Sequence, residues 1–112
     1  MSKARAKGTT FESALVTYLR EHGHPFAERR AMAGTLDKGD LTGLGPRYVI
    51  EAKAAKRVEL GPWLTETEIE VSNAKADYGF LIVKLPRRSI AKCAVLITVE
   101  QMARIIEELE SK

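Results

Sequence analysis

Two short segments, Gly79-Phe80-Leu81-Ile82-Val83-Lys84 and Ala94-Val95-Leu96-Ile97-Thr98, are apolar almost without a break. Such runs are typical of interior strands covered on both faces. Strands of this kind need a layer packed on each side, and the sequence supplies amphipathic helices. Phe11, Ala14, Leu15, Tyr18 and Leu19 recur at the spacing of one helix face, which predicts a first helix from about Thr10 to Glu21. Gly23 and Pro25 end it. Pro62 sits near the start of a second helix, where its missing N–H costs little, and that helix extends to about Ala76. Thr98 opens a last helix with Gln101 at capping-box distance, and Val99, Met102, Ala103, Ile106 and Leu109 form its apolar stripe.

Between the first two helices, a short strand is expected around Phe26 to Met32. Gly34 through Gly45 holds four glycines and reads as turns around another short strand. Arg47-Tyr48-Val49-Ile50-Glu51-Ala52-Lys53-Ala54 is the clearest early strand, with a β-branched and aromatic start. The order helix, strands, helix, strand, strand, helix describes a single-domain α/β sandwich, a central mixed sheet flanked by helices. A chain of 112 residues has room for one domain with one modest core. Residues 1–8 read as a flexible basic tail and residues 9–112 as the domain.

The net charge of +3 and pI near 9.1 permit a polyanionic partner without demanding one. The distribution is more informative. Lys3, Arg5 and Lys7 form a tail without acid, Lys53, Lys56 and Arg57 cluster later, and Lys84, Arg87, Arg88 and Lys92 form a third group. Acid is concentrated in Glu66 to Glu70 and Glu107 to Glu110. Such segregation fits one face for a polyanion and another for solvent, although scattered solvating charge gives the same counts. No apolar run approaches the roughly 20 residues needed to cross a bilayer. The basic N-terminus lacks the apolar stretch of a signal peptide. Cys93, the single cysteine, lies in an apolar run and reads as a buried thiol in a reducing compartment, which favours the cytoplasm.

The chemistry is carried by a few charged residues in apolar or glycine-rich surroundings. Glu51 and Lys53 are two apart on a strand, so they share a face, flanked by Val49, Ile50 and Ala52. Charge inside an apolar strand is expensive unless paired or bound to an ion. Segments 39–42 and 48–53 fit a hairpin, and a loop centred between Gly45 and Pro46 sets Asp40 opposite Glu51. Opposed carboxylates repel, and a divalent cation such as Mg²⁺ removes that penalty. Taken singly, Asp40 also reads as a turn residue and Glu51/Lys53 as a surface ion pair.

Together, Asp40 and Glu51-Ala52-Lys53 resemble the PD-(D/E)xK nuclease superfamily, in which an acid on one strand precedes E-x-K on the next. Gly39 stands where that pattern has proline. Gly8, Phe11 and Glu12 ahead of Tyr18-Leu19 look like the first helix of archaeal-type Holliday junction resolvases. The competing role for Glu12 is a capping box with Thr9. The resemblance implies a restriction-endonuclease-like fold and a metal-dependent endonuclease cutting branched DNA, with Asp40, Glu51, Lys53 and Glu12 as catalytic residues. It further implies Mg²⁺ or Mn²⁺ held by Asp40, Glu51, Glu12 and the carbonyl of Ala52, and a homodimer to match a two-fold junction. Lys3, Arg5, Lys7, Arg29, Arg30, Lys38, Lys56 and Arg57 are the expected DNA contacts. The compact form suits a bacterium or bacteriophage.

Alternatives from the residues are a non-catalytic DNA-binding module of the same fold, a nickase acting on flaps, forks or duplex, and a domain using Asp40, Glu51 and Lys53 as a buried salt-bridge network. His22-Gly23-His24 lacks clustered cysteines and reads poorly as a metal site. Trp63 and Leu64 read as packing residues. Glu66, Glu68 and Glu70 read as solvating, with Glu70 able to reach the site from the second helix. No phosphate-binding G-x-x-x-x-G-K-[ST] loop is present, so nucleotide hydrolysis has no anchor.

Overall fold

The extended run Tyr48–Lys53 becomes the central strand of a five-stranded sheet, and the rest of the chain is arranged around it. The computed structural model describes residues 3–31, 34 and 36–111, with side chains described from residue 7 onward. In chain order the elements are α1 (Lys3–Glu21), β1 (Glu28–Arg29), β2 (Leu41–Thr42), β3 (Tyr48–Lys53), α2 (Leu60–Ala74), β4 (Tyr78–Val83), β5 (Ala94–Leu96) and α3 (Val99–Glu110), with a 3₁₀ turn at Ile90–Lys92. The sheet order is β1-β2-β3-β4-β5. Only β3 and β4 run parallel, and a parallel pair needs a crossover, which α2 provides. This is a mixed α/β domain, as the order of elements implies.

Alternation along the strands separates two cores. Ile50 and Ala52 of β3, with Phe80 and Ile82 beside them on β4, pack against Phe11, Leu15 and Val16 of α1. Leu81 and Val83 point the other way and meet Trp63 of α2, with Leu64 and Leu96 at its margin. Glu51 and Lys53 lie in register with Leu81 and Val83, so they emerge beneath α2. Val71 and Thr67 of α2 come so near β4 that a Cβ on Gly79 would stand 2.7 Å and 2.8 Å from their methyl groups. That close approach brings the α2 side chains down onto the sheet.

Several elements depart from the sequence reading. Helix α1 begins at Lys3, seven residues early, because Lys3 to Lys7 are good helix formers, so residues 3–8 continue the helix rather than forming a separate tail. The strand expected around Phe26 to Met32 reduces to Glu28–Arg29. Strand β5 is an edge with Val95 55% exposed, so it is not covered on both faces. Cys93 is half-buried with Sγ 3.6 Å from the Ser89 carbonyl, so its thiol is less enclosed than its apolar neighbours suggest.

The apolar stripe of α3 faces outward. Val99, Met102, Ile106 and Leu109 are all exposed. The helix is held by polar contacts instead: Arg47 forks onto Glu108 at 2.6 Å and 2.9 Å, and the Tyr78 hydroxyl bonds the same carboxylate. Half of the expected capping box forms, since Thr98 Oγ1 accepts the Gln101 N–H at 3.1 Å. The Gln101 amide turns away to Gly79, accepting its N–H and donating to its carbonyl, both at 2.8 Å. Strand β5 stops before it reaches Gly79, and the side chain replaces the missing ladder partner. Among the described residues, no helix is long and apolar enough to cross a membrane.

The Gly79 contact makes a stability prediction. The methyl groups in the way belong to β-branched residues, which cannot swing aside. Gly79→Ala should lower stability by about 1–3 kcal/mol, read as an earlier urea midpoint at unchanged slope. A midpoint equal to the wild type's would mean that α2 does not sit tightly on β4.

Candidate functional site

The site is built on the β2–β3 register. Leu41 pairs with Ile50, the register expected from the loop between them, and Asp40 just before β2 comes beside Glu51. Three hydrogen bonds fix Asp40. Its N–H donates to the Ile50 carbonyl at 2.8 Å, its carbonyl accepts the Arg30 N–H at 2.8 Å, and its Oδ2 accepts the Ala52 N–H at 2.9 Å. The glycine before it is explained by backbone geometry. Gly39 has φ +98°, which proline cannot adopt, and a Cβ there would lie 2.9 Å from the Ile50 carbonyl oxygen.

Glu51 is 3% exposed. Its Oε2 lies 3.3 Å from Lys53 Nζ, while its Oε1 receives no hydrogen bond among the described residues. Burial, and then the Asp40 carboxylate beside it, push its pKa far above the ordinary value. Lys53 Nζ also meets Glu66 Oε1 at 2.8 Å. Burial pulls the lysine pKa down, but Glu66 and Glu51 more than offset this, so it stays charged.

Helix α2 contributes two further acids. Glu66 and Glu70 are four apart and share a helix face, whereas Glu68 is exposed. Glu70 is fully buried, and among the described residues no donor group such as an amide or ammonium reaches either of its oxygens. It faces the carboxylates of Asp37 and Glu51, and burial followed by Asp37 raises its pKa strongly. Asp37 shifts the opposite way, lowered first by its hydrogen bond with Glu70, and its Oδ1 accepts the Gly39 N–H at 3.0 Å. One carboxylate oxygen from each of Asp37, Glu66 and Glu70 lies within 4.8 Å of the others.

Glu12 approaches from α1. Because the helix starts at Lys3, Thr9 lies inside it and the capping-box role is removed. Glu12 pairs with Arg29 at 3.2 Å, and its pKa is raised by burial and then by Asp40, against the opposing effect of Arg29. Glu12, Arg29, Arg30, Lys38 and Asp40 line a cleft of about 390 Å³. Asp37 lines this cleft and a second, of about 470 Å³, bounded by Pro62, Thr65, Glu66, Ile69 and Glu70.

Asp40, Glu51, Lys53 and Glu12 therefore come to one region, and Ala52 joins them through its N–H. Arg29, Arg30 and Lys38 are exposed around the cleft, Lys7 is exposed on α1, and Lys56 and Arg57 are exposed between β3 and α2. The side chains of Lys3 and Arg5 lie outside the described residues. Asp37 and Glu66 were not anticipated. The i, i+4 spacing of Glu66 and Glu70, three and seven residues beyond the packing residue Trp63, was the available signal for the helix. Asp37 had only its proximity to Asp40 in sequence.

Comparison with known proteins gave no match to a family model, a curated protein or a solved structure.

The donor set fits a hard divalent cation. It consists of carboxylate oxygens, and three of them, Glu51 Oε1 and both oxygens of Glu70, are buried without a donor. Mg²⁺ and Mn²⁺ prefer such oxygen ligands.

The raised pKa values fix the sign of a pH effect in metal-free protein. Glu51 and Glu70 ionise near 4.5 when unfolded but far higher when folded, so the folded state holds extra protons above that pH. Stability is then fullest below pH 4.5 for these two groups and falls as pH rises. Asp37 works in the opposite direction and reduces the slope at acid pH. In EDTA, the Tm should be lower at about pH 8 than at about pH 5.5, and Glu51→Gln should flatten the difference. A Tm that rises over this interval, unaffected by the substitution, would contradict the assignment.

Proposed function

We propose that the chain is a metal-dependent endonuclease that hydrolyses DNA phosphodiester bonds, with a restriction-endonuclease-like PD-(D/E)xK core and a four-way junction as its substrate. The observation that carries this reading is the gathering of Asp40, Glu51 and Lys53, two neighbouring carboxylates and an ammonium. Asp40, Glu51 and the Ala52 carbonyl would hold Mg²⁺ or Mn²⁺, with Glu12 reaching the same region through Asp40. The bound ion supplies Lewis acidity and neutralises charge at the phosphate.

The remaining work falls to the chain. Lys53, kept charged by Glu51 and Glu66, donates hydrogen bonds to the attacking water or to the oxygen on which negative charge develops. Asp40, tied to the β3 backbone through Ala52, keeps its carboxylate from turning away from Glu51. Arg30 and Lys38 at the cleft, with Arg29, Lys7, Lys56 and Arg57 around it, meet the DNA backbone, where arginine forks onto phosphate oxygens. A homodimer matches the two symmetric cuts a junction requires. The outward stripe of α3, together with exposed Val95 on edge strand β5, supports a self-association surface. The setting consistent with this activity is the cytoplasm of a bacterial cell, with a phage gene as one source.

A second reading has its own support. Lys53 bridges Glu51 and Glu66, which suits a structural network in a non-catalytic DNA-binding module. Cleavage of a labelled four-way junction, a flap and a linear duplex, with Mg²⁺, Mn²⁺ or EDTA, separates the two. The nuclease gives metal-dependent cuts, paired and symmetric in the junction. Lys53→Ala should lose about 10²–10³-fold in rate with DNA affinity kept, and Asp40→Asn should abolish cutting. Salt-sensitive binding without cleavage under every condition would select the non-catalytic module.

A further inference from the structure

We propose a second divalent-cation site, formed by Asp37, Glu66 and Glu70 beneath helix α2 and adjoining the Asp40–Glu51 pair on its Glu51 side. Carboxylate oxygens of these three residues lie within 4.8 Å of one another, near enough for one ion to touch all three. Acids cluster on many surfaces without binding anything, but Glu70 is not on a surface. It is fully enclosed, both of its oxygens lack a donor, and it is directed at Asp37. Glu51, also enclosed, adds a further oxygen without a donor on the inner side of the cluster.

The nearby positive charge does not account for the arrangement. Lys53 Nζ contacts Glu66 and Glu51 but makes no hydrogen bond to Glu70. Arg30 lies on the Asp37 side and likewise leaves the Glu70 oxygens without a donor. A leucine or methionine would fill the place of Glu70 at lower cost than an enclosed carboxyl group whose neighbours Asp37 and Glu51 are themselves acids. The cleft of about 470 Å³ along Pro62, Thr65 and Ile69 gives an ion a route to the three carboxylates and leaves room for water ligands.

Asp37 also lines the neighbouring cleft with Asp40, Arg30 and Lys38, so an ion here sits at the border of the proposed phosphate channel. The site goes beyond the nuclease reading, because none of its three residues belongs to the metal set of that reading.

The test is Mn²⁺ alone added to the metal-free full chain at neutral pH. Free Mn²⁺ is counted by electron paramagnetic resonance and the heat is followed by calorimetry. Wild type should take up one more equivalent than Asp37→Asn or Glu66→Gln, or bind that equivalent at least about tenfold more tightly. Asp40→Asn should keep it. Asp37 and Glu66 are at or near the surface, so both variants should fold. Glu70→Gln, which keeps the buried volume, gives an independent loss of the same equivalent. Wild-type binding by both Asp37→Asn and Glu66→Gln overturns the proposal. If Mn²⁺ uptake is then lost only in Asp40→Asn, the nuclease site stands without the second ion. Failure of the wild type to bind Mn²⁺ at all overturns this site whatever the cleavage assay shows.

Discussion

Glu51 is the constraint on which the rest of the structure depends. It stands on the middle strand of the sheet, and strand alternation gives it no choice of face: Ile50 and Ala52 must meet α1, so Glu51 and Lys53 must lie under α2. An enclosed carboxylate there needs a counter-charge, a proton or an ion. Lys53 satisfies one oxygen only. Asp40 and Glu70 add negative charge beside it instead of relieving it. The local order of β2, the close seating of α2 on Gly79 and the fixed φ of Gly39 all serve to hold acids together that would otherwise repel.

That concentration of charge has a consequence for folding. The hydrophobic contribution comes from two modest clusters, one under α1 and one under α2, and the α2 cluster surrounds the acids with Trp63, Leu81 and Val83. The apolar side of α2 therefore does two things: it stabilises the sheet and shields Glu51 and Glu70 from water. Low polarity strengthens attraction to a cation as much as repulsion between like charges. The same packing that makes the cluster costly would strengthen its hold on the small, hard ion proposed for it.

Much of this was legible in the sequence where a short-range rule applies. Strand periodicity gave the shared face of Glu51 and Lys53, and the centre of the Gly45-Pro46 loop gave the register that brings Asp40 beside Glu51, because hairpin register follows directly from the turn. Helix α1 was harder, since Gly8 and Thr9 look like a helix start, and the basic residues before them carry no apolar periodicity to extend the pattern. Asp37 was out of reach: it lies in a loop, and its contact with Glu70 depends on how far α2 descends onto β4. That descent is set by Gly79, a residue whose importance appears only once the helix is packed. The α3 stripe was legible as a stripe but not as an exposed one, because periodicity reports that a face is apolar and not what covers it.

Buried acids that repel are not what selection for stability alone would keep. Replacing an enclosed, unpartnered glutamate by an apolar residue of similar size is often neutral or stabilising, and such replacements are easily reached by mutation. Here two glutamates, one on a strand and one on a helix, are both fully enclosed and lack donors at three of their four oxygens. Two more acids, Asp37 and Glu66, complete the ring from a loop and from the same helix. A structural network would be expected to satisfy its members, since a half-satisfied one is worse than an apolar core. The arrangement makes physical sense under the cation binding proposed for it, which is the requirement a phosphodiester-cleaving site and an accessory ion site share.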